Sequence, residues 1–186
     1  MLPEGLTDDK VRIVMICESP PPDPAEGFYA PETAASAYRA NTLQAFNEAG
    51  VPVRTMSEIS ALGVYITTAV KTPKTGNAVD KALIKQDAAA LEEELAQFPN
   101  AQVYLLMGDV AIAALNEIAR RRTGKRAIPA GSTYKLRSQE FTFEGKRVIP
   151  SYLQTGGSYQ IEKSKRQVVA EDLRTALRLV GALQEP

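Results

Sequence analysis

The stretch VRIVMIC-ESPPPDP, residues 11–24, decides how this chain is read. Its first half, Val11–Cys17, is an almost unbroken apolar run of strand length, the pattern of a strand covered on both faces. Its second half carries four prolines within Glu18–Pro24, which fix φ, withdraw backbone donors and leave a stiff, preset path. In α/β sheets ligands sit outside the carboxyl ends of the strands, and this is where the loop falls. Stiffness also lowers the entropic cost of holding a reactive group. Glu18, Asp23 and Glu26 supply three carboxylates there, and Phe28 and Tyr29 two aromatic faces. The plainer reading is a solvated connector whose prolines merely prevent a helix. From these residues alone both readings stand.

Outward from this stretch, elements of two kinds alternate. Thr33–Ala49 has helical composition and ends at Gly50 and Pro52; a short helical turn is expected at Ser57–Leu62, then a second strand at Val64–Val70. Pro73 and Gly76 break the chain before Asp80, a candidate cap for a helix with apolar positions Ile84, Leu91, Leu95 and Phe98, ended by Pro99 and Asn100. Val103–Met107 is a third buried strand. Val110, Ala111, Ala114, Leu115 and Ile118 then form a helical stripe. Tyr134–Phe143 suggests a hairpin arm, Gly145 turns into a fourth strand at Arg147–Ser151, and Ser164 with Gln167 reads as a capping box for the last helix. Strands alternating with helices predict an α/β fold, a parallel sheet covered on both sides, in a single domain spanning 1–186.

Composition narrows the chemistry. Lys plus Arg and Asp plus Glu both total 22, so the chain as a whole does not advertise nucleic-acid binding, although a local basic patch suffices for it. There is no histidine, which rules out imidazole as base, donor or metal ligand. The single cysteine excludes internal disulfides and cysteine-built zinc or iron–sulfur sites, so no metal and no cofactor is expected. With no signal-like amino terminus and no apolar run near the ~20 residues that span a bilayer, a cytoplasmic protein is expected.

Three further segments follow strands or open a helix. Thr67–Lys74 is rich in hydroxyl and ammonium groups, yet threonines are ordinary strand residues. Gln154-Thr155-Gly156-Gly157-Ser158 can present amide and backbone donors to an anion, or be a common turn. Lys163, Lys165 and Arg166 gather at a helix start, where the dipole disfavours cations; they fit phosphate contacts or a solvated face. Cys17 ends a buried strand and reads as core.

Taken in order, VRIVMICESPPPDP (11–24), VYITTAVKTPK (64–74), VYLLMGDVAIAAL (103–115), RVIPSYLQTGG (147–157) and the lysine-rich IEKSKR with its helix resemble the uracil-DNA glycosylase superfamily. The resemblance covers most of the chain. It implies a three-layer αβα fold with a central four-stranded parallel sheet, and a DNA partner, single- or double-stranded, from which a base is flipped and cleaved at its N-glycosidic bond. It places Glu18 or Asp23 as the acidic residue that orients water and favours a cationic sugar, and Phe28 or Tyr29 as the aromatic that stacks on the base. Thr68 stands where several branches carry a base-reading asparagine, and Gln154 where a histidine commonly stabilises the departing base. Ser19, Lys71, Gly156 and Gly157 complete the implied substrate contacts, with Lys163, Lys165 and Arg166 on phosphates. Two other readings remain: a module of the same fold that binds nucleic acid or a nucleotide without cleaving, and a small-molecule hydrolase using the same strand-end site.

Overall fold

Ile13–Cys17 forms β1, and all five of its side chains are buried. The same complete burial holds for β2 (Val64–Thr68) and β3 (Val103–Met107). In this computed structural model, which describes residues 2–184, these strands lie in one sheet with β4 (Phe141–Phe143) and β5 (Lys146–Ser151), in the order β2-β1-β3-β5-β4. Met1, Glu185 and Pro186 of the expected 1–186 unit lie outside the described residues. The pairs β1–β2, β1–β3 and β3–β5 are parallel. Their register aligns Cys17 with Thr68, and Met107 with Ser151, so the carboxyl ends form one level rim. The chain steps from β1 to β2 on one side and then to β3 on the other. Strand order therefore reverses at β1, and the proline-bearing loop leaves the sheet at that switch point.

The helices are α1 (Ala37–Glu48), α2 (Met56–Ala61), α3 (Lys81–Leu95), α4 (Asp109–Thr123), the single turn α5 (Thr133–Leu136) and α6 (Lys163–Leu179). Local side chains start several of them: Ser36 accepts from Arg39 N at 3.1 Å, Thr55 from Glu58 N at 3.2 Å and Asp80 from Ala82 N at 2.9 Å. Alternate strand residues divide the interior. Val14, Ile16, Tyr104 and Leu106 pack with α3 and α4, whereas Ile13, Met15, Val103 and Leu105 pack with α1, α2 and α6. Helices thus cover both faces.

Two expectations need correction. The four expected parallel strands are present as β2-β1-β3-β5, with a fifth at the edge: the expected arm at Tyr134–Phe143 is α5 followed by the three-residue β4, antiparallel to β5. Glu144 (φ 51°) and Gly145 (φ 79°) make the two-residue turn between them, both left-handed as a hairpin of this length requires. Such a short strand carries too little alternation to be read. Ser164 does not cap α6, which begins at Lys163 after Glu162. Turns closed by Ile161 N and Glu162 N on Ser158 O already wind the chain, so Ser164 lies inside the helix.

Candidate functional site

The loop after β1 is organised by a residue that sequence reasoning missed. Arg39, only 4 % exposed, donates from its guanidinium to the carbonyls of Ala25 (3.1 Å), Gly27 (2.5 Å) and Ala34 (2.6 Å). Ser36 also donates to Glu26 O at 2.6 Å. These bonds tie residues 25–34 to the start of α1 and give a buried cation neutral acceptors in place of water. Nothing in its spacing sets Arg39 apart from a surface arginine.

The two acidic candidates separate clearly. Asp23 is exposed, and its carboxylate accepts from Ala25 N at 2.9 Å, capping the turn Pro24–Glu26. Glu18 follows directly on β1 and is mostly covered, its side chain 17 % exposed and ion-paired at 2.7 Å with Lys74 from the loop after β2. Ser19 is buried. Tyr38 of α1 is near Ser19 and Glu18: burial first, then the Glu18 carboxylate, push its hydroxyl pKa up, so it stays protonated. The Phe28 ring, also buried, lies 5.7 Å from that of Tyr38. Tyr29 goes elsewhere. Its hydroxyl accepts from Ile66 N at 2.7 Å and its ring stacks on Tyr65 at 5.8 Å, which seals the free edge of β2.

Thr68 is beside Cys17 across the β1–β2 ladder, buried, with its hydroxyl donating to Val70 O at 2.6 Å. Lys71 turns toward α3, where its Nζ meets Glu94 Oε1 (2.8 Å), Thr67 Oγ1 (3.1 Å) and Thr68 O. Gln154 is fully buried beneath the rim. Its amide nitrogen donates to Thr42 Oγ1 at 3.2 Å and lies 3.3 Å from Cys17 Sγ, while its side-chain oxygen faces the same thiol at 3.7 Å. Burial pushes the Cys17 pKa up to about 12, so the thiol is a neutral donor. Asn41 adds a bond to Gln154 O at 3.0 Å. Gln154 therefore joins the β5 loop to β1 and α1, and its amide is already engaged.

Close approach shapes the next loops. Gly108, at φ +99°, precedes α4; a Cβ there would stand 3.1 Å from Leu153 Cβ, so only glycine lets the β3 and β5 loops meet. Gly156 and Gly157 lie in the β5 loop, where the N–H groups of Thr155, Gly156 and Gly157 donate to no protein acceptor among the described residues. Beyond it, Arg166 donates to Gln160 O at 2.6 Å and Lys165 pairs with Glu162 at 2.8 Å. Lys163 is exposed without an ion-pair partner among the described residues. The rim thus gathers Glu18, Ser19, Thr68, Lys74 and the β5 loop, while Tyr29 and Lys71 serve the outer edge and the α3 side.

Residues 4–174 match the family model of the uracil DNA glycosylase superfamily, and the chain belongs to that superfamily. A search of curated proteins finds no match. Membership suggests DNA glycosylase activity in general, and the αβα sheet with its loop at the switch point fits it. No helix among the described residues is long and apolar enough to cross a membrane, and no group of three or more His, Cys, Asp or Glu side chains among them is placed to hold a metal ion.

Proposed function

We propose that the protein hydrolyses the N-glycosidic bond of a deaminated or modified base in DNA, with Glu18 as the acidic catalytic residue. The observation that carries this is the Glu18 carboxylate: partly covered, at the switch point of the sheet, beside Tyr38 and facing a loop cation. As the bond breaks the sugar becomes oxocarbenium-like, and a fixed carboxylate in a partly dry site stabilises that charge and orients the attacking water. The base leaves as an anion, and the unengaged N–H groups of Thr155, Gly156 and Gly157 are the donors suited to receive it. Gln154 acts through them as a positioning residue, and Asp23 through the loop it caps. Phe28 with Tyr38 forms the aromatic wall for the base, Thr68 and Ser19 stand at its floor, and Lys163, Lys165 and Arg166 supply the phosphate grip.

The test is release of free base from single- and double-stranded oligonucleotides carrying uracil, hypoxanthine or xanthine. Release from at least one supports the reading; no release from any, with DNA bound, removes the enzyme. The engaged Gln154 amide, where the family resemblance implied a direct donor to the base, favours one second reading, a nucleic-acid-binding module without cleavage. Under it Glu18→Gln leaves DNA affinity unchanged and no abasic product forms with either protein.

A further inference from the structure

A groove opens beside the β5 end of the rim, between α5 and the first turns of α6, with a volume of about 370 Å³. Its lining includes Tyr134, Arg137, Tyr152, Lys165 and Gln167, with the Glu171 carboxylate at one side bound to Arg137. Tyr152 is the first residue after β5 and stands two before Gln154, so the groove is continuous in sequence with the rim loop. Tyr134 is 67 % exposed, while Thr133 and Leu136 of the same turn are buried and hold its backbone in place. A large aromatic so placed adds nothing to the core and offers its ring to whatever enters. The Tyr152 ring is steadied by Lys165 Nζ, 5.3 Å from its centroid. Lys165 and Arg137 are the cations of the lining: Lys165 also pairs with Glu162 at 2.8 Å, and Glu171 (2.7 Å) and Asp172 (3.2 Å) hold one outer nitrogen of Arg137.

Two tyrosine rings beside Lys165 and Arg137 offer faces on which a base stacks and cations near its phosphates. We propose that this groove is a second DNA subsite, which takes an unpaired base of the single-stranded segment flanking the target nucleotide. The inference rests on the glycosylase reading and adds a substrate class to it. In a duplex the flanking bases are stacked and paired, and drawing one out costs a few kcal/mol beyond flipping the target. In a single strand that base is free. The groove therefore favours single-stranded DNA.

The experiment is fluorescence anisotropy with short labelled, undamaged oligonucleotides, single- and double-stranded, against the wild type, Tyr134→Leu and Tyr134→Phe. Because Tyr134 is on the surface, its replacement leaves the fold intact, and Phe keeps the stacking ring. The expected result is a loss of about fivefold or more in single-strand affinity for Tyr134→Leu, recovery in Tyr134→Phe, and little change for duplex. Equal single-strand affinity in Tyr134→Leu and wild type overturns the subsite, as does an equal loss for both DNA forms. If the subsite fails while wild type still releases base from duplex DNA, the glycosylase reading stands; if wild type binds neither DNA form, both fall.

Discussion

Replacing Gln154 separates a residue that holds the site from one that touches the base. Gln154→Ala removes a fully buried side chain, its bond to Thr42 Oγ1 at 3.2 Å and its contacts with Cys17. Thr42 still donates to Tyr38 O at 2.8 Å, so only an acceptor site is orphaned there. The lost hydrogen bonding comes to about 1 kcal/mol or slightly more. The unfilled space adds a cavity cost, bringing the total to roughly 2–4 kcal/mol. For a chain of this size each kcal/mol lowers Tm by about 2–4 °C, so the expected fall is roughly 4–16 °C. Gln154→Leu fills most of the space and should recover about half of it. The assay pairs thermal unfolding with base-release kinetics at a temperature where all three proteins are folded. A direct base donor would instead cost about 10²–10³-fold in kcat. That loss in Gln154→Leu, with Tm unchanged, would refute the positioning role.

Gly108→Ala forces a left-handed φ on a residue with a side chain and drives its Cβ to 3.1 Å from Leu153 Cβ; a loss of about 2–4 kcal/mol is expected in urea unfolding. Tyr29→Phe leaves the Ile66 N–H at the β2 edge without its acceptor, which should cost about 1–3 kcal/mol and speed hydrogen exchange at that amide. Burial pushes Cys17, Tyr104 and Tyr159 up to about 12 in the folded chain, from 9.0 for the thiol and 10.0 for the phenols. The unfolded chain then releases these protons first, so their contribution is full below pH 9 and stability falls as pH rises from about 9 toward 12. Urea midpoints measured across that range check it, and a flat profile would contradict it.

The parts of the fold legible in sequence were those with one dominant signal. Ile13–Cys17 and Val103–Met107 are apolar throughout because they are buried on both faces, and prolines mark the loop that leaves the switch point. Polar residues at strand ends were harder, since one residue of loop path decides whether a side chain meets solvent, substrate or core. Gln154 went under the rim to Cys17 and Thr42, and Tyr29 folded back on the β2 edge beside a Phe28 that stayed near Tyr38. Glu18 and Asp23 were equivalent as letters; only the turn that Asp23 caps and the partner that Glu18 finds tell them apart. Arg39 was invisible because its acceptors are main-chain carbonyls of a loop whose course no side-chain pattern records.

The most direct measurement compares base release by wild type, Glu18→Gln and Asp23→Asn on the best substrate found. A fixed general base or charge stabiliser contributes about 10²–10⁴-fold, so Glu18→Gln should slow release by that much while DNA still binds. Asp23→Asn keeps a capping oxygen and should slow it by less than about tenfold. Release by Glu18→Gln at the wild-type rate, or a collapse confined to Asp23→Asn, would contradict the assignment.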